Sequence, residues 1–326
     1  MAEDSAKEPE VSVLVPIYNV ERYLRTCLES LRMQTFKDFE VICINDGSTD
    51  GSRAIIQEFL DVDPRFRVID KDNSGYGASM NRGLWEARGR YVAILESDDF
   101  FELDALARLH EASVAAKADV VKANFWLYWS CPEERRELFR AVDAREAAGI
   151  FAPLDDVALF FRKPSIWSAL YGRSFLERNG IWFLETPGAS YQDAGFNFKV
   201  WACARRVACL ETPVLCYRQD NEASSVNSPS KVFCVCDEYE SMDKFLDGLD
   251  LSAGDLRKLR GILTRMKLDS YLWNYDRLSD ELRPQFVDRV SEEFSRDLSR
   301  GFDWTFFEPG ARADFVVIVI MIYEFM

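Results

Sequence analysis

Four residues directly after an apolar run carry the densest set of reactive groups in the chain. The run Tyr91–Leu95 is followed by Glu96, Ser97, Asp98 and Asp99. Three carboxylates at the end of a buried strand repel one another, so their placement is costly unless a cation joins them. A hard divalent ion, Mg²⁺ or Mn²⁺, accepts one or two carboxylates and completes its shell with phosphate oxygens and water. We therefore expect a metal-bridged pyrophosphate here; the alternative is an acid-rich helix N-terminus that complements the helix dipole.

A second polar segment, Asn45–Ser52, reads NDGSTDGS and follows another apolar run. Its two Asp-Gly steps are typical of turns, and Thr49 or Asp50 could cap the helix that follows. A carboxylate immediately beyond a central strand can instead accept a hydrogen bond from the N–H of a nucleobase, and Asp46 stands in that position. The residues alone leave both interpretations open.

A third segment, NSGYGASMNRG at 73–83, is a glycine-containing turn that leads into a helical pattern. It does not fit G-x-G-x-x-G and follows the third apolar run instead of the first, so a dinucleotide-binding fingerprint is not supported. The phosphate-loop pattern G-x-x-x-x-G-K-[ST] does not occur in the sequence either. Arg82 either faces a phosphate from the first helical turns or is an ordinary surface charge.

Regularly spaced elements must position these groups. Five apolar runs begin 25 to 29 residues apart, at Val11–Ile17, Phe39–Ile44, Phe66–Ile69, Tyr91–Leu95 and Val120–Phe125. Helical patterns fill the gaps at Glu21–Met33, Ser52–Leu60, Tyr76–Ala87 and Leu103–Ala115. Strand, helix and strand at this spacing predict an α/β fold with a wound, mostly parallel sheet covered on both faces. Ligands of such sheets bind beyond the carboxyl ends of the strands, where the polar segments lie.

The second half of the chain differs in pattern. From Asp237 to Arg300 the sequence is helical in character, with an apolar stripe typical of a packing face. The stripe comprises Tyr239, Met242, Phe245, Leu246, Leu256, Leu259, Leu263 and Met266. We predict a disordered acidic tail at 1–10, an α/β domain at 11–226 and a helical C-terminal region at 227–326.

The apolar run Phe315–Met326 has 12 residues, fewer than the ~20 that span a bilayer. It is expected either to dock on the helical stripe or to lie on a membrane. We favour docking or self-association, because the run lacks the cationic flank that attracts anionic lipid.

Charge and cysteine usage exclude several classes of function. The 326 residues include 40 Lys and Arg against 55 Asp and Glu, a net charge of −15, which disfavours a nucleic-acid partner. The eight cysteines form no C-x-x-C pair and His110 is the only histidine, so a zinc site is not expected. Reduced thiols and a polar N-terminus without a signal-peptide pattern predict a cytoplasmic location.

The segments PIYN, NDGSTDGS, NSGYGASMNRG and LESDD, in this order, resemble the family-2 glycosyltransferases of the GT-A fold. The resemblance is dense over 11–125 and reaches about 226 more thinly. It implies that 11–226 is a GT-A domain that moves a sugar, with inversion, from a nucleotide sugar to an acceptor hydroxyl. The implied donor is a UDP-sugar, and the implied acceptor is a saccharide or a lipid-linked glycan of a cell-surface polysaccharide. The alternative is a non-catalytic module that binds nucleotide sugar or glycan.

The resemblance also implies roles for individual residues. The implied nucleotide-binding residues are Pro16, Tyr18, Asn19, Glu21, Asp46, Asn81, Arg82, Glu96 and Arg218. Glu96 and Asp98 fill the two positions of the D-x-D motif, and the first of them is Glu instead of Asp. Asp98 is the implied ligand of Mn²⁺ or Mg²⁺.

Two later segments resemble further motifs of the family. In YQDAGF, at 191–196, Gln replaces the first acid of a Glu-Asp pair, so Asp193 inherits the role of catalytic base. Without the resemblance, Asp193 could equally be a solvated surface acid. In YRQD, at 217–220, Asp220 replaces the usual histidine and is predicted either as a metal ligand or as a contact to diphosphate through Arg218. A lipid-linked acceptor would place the enzyme at the inner face of the cell membrane; peripheral membrane contact and homo-oligomerisation are both left open.

Overall fold

The computed structural model describes residues 8–187, 191–221 and 232–316. These residues divide into two compact units: the first comprises 8–187 and 203–221, and the second comprises 191–202 and 232–316. The predicted boundary between 226 and 227 lies outside the described residues, as do residues 1–7 of the predicted acidic tail. The domain limits therefore stay a prediction.

Eleven strands and ten helices are named here in chain order. From residue 11 to residue 147 the elements are β1 (Val11–Ile17), α1 (Glu21–Arg32), β2 (Phe39–Asp46), α2 (Ser52–Val62), β3 (Phe66–Lys71), α3 (Tyr76–Glu86), β4 (Tyr91–Ile94), β5 (Phe100–Phe101), α4 (Ala105–Ala116), β6 (Val120–Ala123), β7 (Phe125–Trp129), β8 (Arg135–Phe139) and α5 (Ala144–Ala147). From residue 169 to residue 300 they are β9 (Ala169–Gly172), α6 (Arg173–Arg178), α7 (Gln192–Cys203), β10 (Val207–Leu210), β11 (Leu215–Arg218), α8 (Cys234–Asp247), α9 (Ala253–Arg277) and α10 (Arg283–Arg300). Short 3-10 helices lie at Val157–Phe161, Ile166–Ser168 and Trp304–Phe306.

The main sheet of the first unit has seven strands in the order β10-β6-β9-β4-β1-β2-β3. All neighbouring strands are parallel except β9, which runs antiparallel to both β4 and β6. Every residue of β1 and β2 is buried, as expected of central strands that are covered on both faces. The predicted α/β class with a mostly parallel sheet is confirmed.

A second sheet of four strands has the order β5-β11-β7-β8. Its β7–β8 hairpin pairs from Phe125 opposite Phe139 to Trp129 opposite Arg135. The apolar run predicted as one strand, Val120–Phe125, is divided between the two sheets at Asn124. The Asn124 side chain donates to the carbonyl of Glu211 and accepts from the amide of Val142, so it satisfies backbone groups where the chain changes sheet.

The second unit is helical, as the sequence pattern predicts for 237–300. Five residues of the predicted apolar stripe are buried: Tyr239, Met242, Leu246, Leu259 and Leu263. At the start of the C-terminal run, Phe315 is fully buried, and its ring centroid lies 4.7 Å from that of Phe294 on α10. The remainder of that run, 317–326, lies outside the described residues. No helix in the described part of the chain has the length and apolarity needed to cross a membrane.

Candidate functional site

The loops that follow β1 and β2 are hydrogen-bonded to each other. Asn19, with a left-handed φ of 49°, accepts from the amide of Thr49 at 2.8 Å and donates its own amide to Ser48 Oγ at 3.2 Å. Glu21 accepts from the amide of Gly51 at 2.6 Å. Asn19 and Glu21, both predicted to bind nucleotide, therefore fix the shape of the carboxyl edge of the sheet.

Two further predicted base contacts lie at the same edge. Pro16 is buried within β1, opposite Ile44 of β2. Tyr18 follows β1 and its side chain is 52% exposed. An aromatic ring exposed beyond the end of a central strand is available to a planar ligand, whereas Pro16 is buried inside the sheet. Their nucleotide-binding roles stay predictions.

Asp46, at the end of β2, shapes the loop that precedes α3. Its carboxylate accepts from the amides of Ser74 at 2.9 Å and Gly75 at 3.0 Å, and it pairs with the ammonium of Lys71. Gly75 has a φ of 93°, a conformation that favours glycine. Asp46 thus stabilises the loop before α3 through hydrogen bonds. Its position in the NDGSTDGS motif did not indicate this structural role.

The two residues of α3 that were predicted to bind nucleotide also make contacts within the first unit. Asn81 accepts from the amide of Phe183 at 2.9 Å and donates to the carbonyl of the same residue at 3.0 Å. Arg82 forms an exposed ion pair with Glu86, one helical turn later, at 2.8 Å. Asn81 therefore anchors the segment around Phe183, and a contact from Arg82 to phosphate stays a prediction.

Glu96, predicted to bind nucleotide, and Asp98, predicted to bind the metal, are half-buried and oriented by neighbours. Glu96 accepts from the hydroxyl of Tyr76 at 2.6 Å. Asp98 accepts at Oδ2 from the side-chain amide of Asn221 at 2.8 Å. Each carboxylate therefore has a defined direction at the carboxyl edge of β4.

Asp99 differs from these two carboxylates because it is fully buried. Its Oδ1 accepts from the backbone amide of Arg218 at 2.8 Å, and its Oδ2 has no hydrogen-bond partner among the described residues. Burial, followed by the neighbouring charge of Asp98, raises the pKa of Asp99 well above its usual range. Of the three acids, Asp99 is therefore the one whose charged form burial disfavours most, while Glu96 and Asp98 are half-buried.

Arg218, predicted to contact the nucleotide, is only 8% exposed and donates within the protein. Its Nε donates to the carbonyl of Asp98 at 2.9 Å, and its Nη1 donates to Ser130 Oγ at 3.0 Å. The guanidinium lies between the rings of Tyr23 and Tyr128, at 4.6 and 5.1 Å from their centroids. Such packing holds the loop of Asp98 against the β7–β8 hairpin.

Asp220, predicted as a metal ligand or a diphosphate contact, faces the tip of the same hairpin. Its Oδ2 accepts from the amide and hydroxyl of Ser130, at 2.8 and 2.6 Å, and from the amide of Cys131 at 3.1 Å. Burial alone would raise the pKa of Asp220, but these hydrogen bonds outweigh it and lower the pKa to about 2. Ser130, about 90 residues away in sequence, carries no motif that could have marked it as a site residue.

The predicted base, Asp193, lies in the first turn of α7 in the second unit. Tyr191, just before the helix, has a left-handed φ of 56° and donates its hydroxyl to Asn274 at 3.3 Å. A positive φ is unusual for a bulky residue and marks a backbone held by its surroundings. The position of Asp193 is therefore set by a constrained helix start.

Gly195 of the same helix is required by close packing. A Cβ added there would lie 1.7 Å from Oε1 of Glu238 on α8. Glu238 is buried, and neither of its carboxyl oxygens has a hydrogen-bond partner among the described residues. The glycine of the YQDAGF segment thus lets α7 approach a buried acid that the sequence did not single out.

No group of three or more His, Cys, Asp or Glu side chains in the described ranges could hold a metal ion by itself.

The profile of Glycosyl transferase family 2 matches residues 12–198, more than half of the chain. The chain therefore belongs to glycosyl transferase family 2, as its motifs predict. It is 36% identical over 217 residues to EpsH of Bacillus subtilis (strain 168), which is named as a glycosyltransferase. That match covers 64% of this chain and 61% of EpsH, so the chain spans less than two thirds of that relative.

Two solved structures share the fold. S. aureus TarS 1–349 in complex with UDP-GlcNAc has a TM-score of 0.72 at 21% identity, covering 97% of this chain and 90% of that chain. The mannosyltransferase PcManGT from Pyrobaculum calidifontis, in complex with GDP-Man and Mn²⁺, has a TM-score of 0.54 at 14% identity, covering 97% and 87%. At these identities the likeness concerns the fold, and the predicted GT-A architecture is confirmed.

Proposed function

We propose that the chain transfers a sugar, with inversion, from a UDP-sugar to an acceptor hydroxyl of a saccharide or lipid-linked glycan. The observation that carries the proposal is the pair of oriented, half-buried carboxylates, Glu96 and Asp98, beyond the end of a central parallel strand. Ligands of wound α/β sheets bind at that edge. The family membership supports glycosyl transfer, and UDP-GlcNAc bound to TarS, a protein of the same fold, makes it the first donor to try.

The residues present fit a divalent cation that is shared with a diphosphate. Asp98 offers hard carboxylate oxygens, is held in one orientation by Asn221, and has Glu96 two residues before it. Two carboxylates suit Mg²⁺ or Mn²⁺, which keep phosphate and water in the rest of their shell. When bound, such an ion neutralises the charge that develops on the departing diphosphate. Mn²⁺ accompanies the nucleotide sugar in PcManGT, which shares the fold.

Asp193 is the proposed general base. As the acceptor oxygen bonds to the anomeric carbon, the bond from that carbon to the diphosphate breaks and the hydroxyl proton passes to the carboxylate. Asp193 lies in the first turn of α7, a position where a carboxylate is favoured by the helix dipole. General base catalysis of this kind contributes about 10²- to 10⁴-fold in rate.

A non-catalytic binding module is the second candidate, and Gln192 favours it. This buried residue occupies the place of the first acid in the resembled Glu-Asp pair. A binding module would bind UDP-GlcNAc without consuming it.

A lipid-linked acceptor would place either protein at the inner face of the cell membrane, and flotation of the full chain with anionic liposomes would measure such contact.

Calorimetry and a turnover assay test the proposal together. UDP should bind in the presence of Mn²⁺ and more weakly in EDTA, and UDP-GlcNAc should be hydrolysed slowly or transferred. Asp98→Asn should abolish the metal dependence and the turnover, while Asp61→Asn, on the exposed face of α2, should leave both unchanged. Equal UDP affinity with Mn²⁺ and with EDTA would contradict the role of Asp98. Binding without turnover would favour the binding module.

A further inference from the structure

The carboxylate of Asp220 is already occupied by the tip of the β7–β8 hairpin. Oδ2 accepts three hydrogen bonds from Ser130 and Cys131, all between 2.6 and 3.1 Å. Oδ1 faces Nη1 of Arg218 at 3.4 Å. A carboxylate has about four lone-pair sites in all. Four donors around this one leave little capacity for a metal ion.

The same hairpin tip is connected to Asp98 through the buried Arg218 and through Asn221. Ser130 accepts from Nη1 of Arg218, and Nε of the same guanidinium donates to the backbone carbonyl of Asp98. Asn221, next in sequence to Asp220, donates to the Asp98 side chain. The hairpin tip and the two ends of Asp98, backbone and carboxylate, therefore belong to one hydrogen-bonded network.

We propose that Asp220 is a positioning residue and not a metal ligand: it clamps the hairpin tip and, through Arg218 and Asn221, sets the orientation of Asp98. The inference rests on the proposed function only for the role of Asp98. The clamp makes the β7–β8 hairpin a fixed wall beside the donor site. In this chain the position equivalent to the family's histidine serves the protein's own backbone, and Asp98 is the carboxylate that meets the ion.

Hydrogen exchange tests the clamp without any ligand. Asp220→Asn and Ser130→Ala each weaken the hydrogen bonds of the clamp, so amides at the hairpin tip should exchange about 10-fold faster in both variants. Gln219→Ala, an exposed neighbour, should exchange as the wild type does. Unchanged exchange in both clamp variants would overturn the clamp. Should Asp220→Asn fail to fold, Ser130→Ala carries this test alone.

Calorimetry with UDP tests whether Asp220 is a metal ligand. Both clamp variants should weaken UDP binding by a similar factor of about 3 to 10, and both should still bind UDP more tightly with Mn²⁺ than with EDTA, because Asp98 is retained. If Asp220→Asn instead removes the metal dependence, as Asp98→Asn should, Asp220 is a ligand and the inference is wrong. Wild-type protein that binds no UDP would contradict the proposed function, while the exchange result would still decide the clamp.

Discussion

The hydroxyl of Tyr76 donates a hydrogen bond to Oε1 of Glu96 at 2.6 Å. Tyr76 is the first residue of α3, and Glu96 follows β4, so the contact joins two segments that carry separate motifs. The Tyr76 ring also packs edge-on against Phe183, with centroids 5.9 Å apart. The glutamate that replaces the first acid of the D-x-D motif is therefore oriented by a tyrosine from the glycine-containing turn.

Tyr76→Phe should weaken UDP binding about 3- to 10-fold in the presence of Mn²⁺, because it removes this hydrogen bond to a charged group. The ring and its packing on Phe183 are retained, so the melting temperature should change little. Calorimetry provides the measurement, and Tyr275→Phe, in the second unit, serves as the control. An unchanged affinity would show that Tyr76 does not orient a binding group.

Asp193→Asn should keep donor binding and lose about 10²- to 10⁴-fold in transfer rate, since the substitution preserves size and removes basicity. The rate of sugar transfer and the Kd of UDP, measured on the same sample, separate the two effects. Asp269→Asn, on the exposed face of α9, is the matched control. Full transfer by the Asp193 variant would assign the proton to another acid.

Lys122 should give the first unit a stability that rises with pH. It is buried in β6 and donates to Ser165, and burial lowers its pKa to about 7. The unfolded lysine, with an ordinary pKa of 10.5, binds more protons than the folded one between these values. The free energy of unfolding should therefore rise between pH 7 and 10, by about 1.4 kcal/mol per unit at most.

Lys122→Met should remove that slope, measured by urea unfolding at pH 6, 8 and 10. Lys163→Met is the control, because Lys163 is exposed and its ammonium lies over the ring of Tyr217. A slope that persists in the Lys122 variant would show that another group causes it.

Glu238 should give the second unit the opposite dependence. Burial raises its pKa to about 8; Lys199 opposes this shift, and the charge of Asp193 adds to it. Between pH 4.5 and 8 the folded state holds a proton that the unfolded state has released, so the free energy of unfolding falls as pH rises. Glu238→Gln, neutral at every pH, should abolish the fall, whereas Glu281→Gln should not. Chemical unfolding followed by a probe in the second unit measures it.

The local sequence pattern was sufficient to predict the first strands and helices. The run Val11–Ile17 is found as β1 with the predicted bounds, and α3 ends one residue before the predicted Ala87. Both segments have periodicity that depends only on near neighbours. β9 was not predicted, because its four residues become a strand only through antiparallel pairing with β4 and β6.

The sequence indicates which residue types occupy the candidate site, but it does not indicate which of them are buried. Glu96, Asp98 and Asp99 stand together in the sequence, and only the fold separates two half-buried acids from one that is fully buried and has a raised pKa. The partners that orient them come from far along the chain: Asn221 lies 123 residues from Asp98. Contacts at that separation depend on the tertiary arrangement and leave no trace in local spacing.

The antiparallel strand β9 also determines when the outer edge of β4 becomes paired during synthesis. β4 ends at Ile94 and its outer neighbour β9 ends at Gly172, so roughly 80 residues must leave the ribosome before that edge is paired. At a translation rate of about 5–20 residues per second, β4 presents unpaired backbone groups for several seconds. An open strand edge invites pairing with other chains. The nascent protein therefore passes through an interval in which aggregation competes with folding, and shielding by a chaperone would be most useful between the emergence of β4 and that of β9.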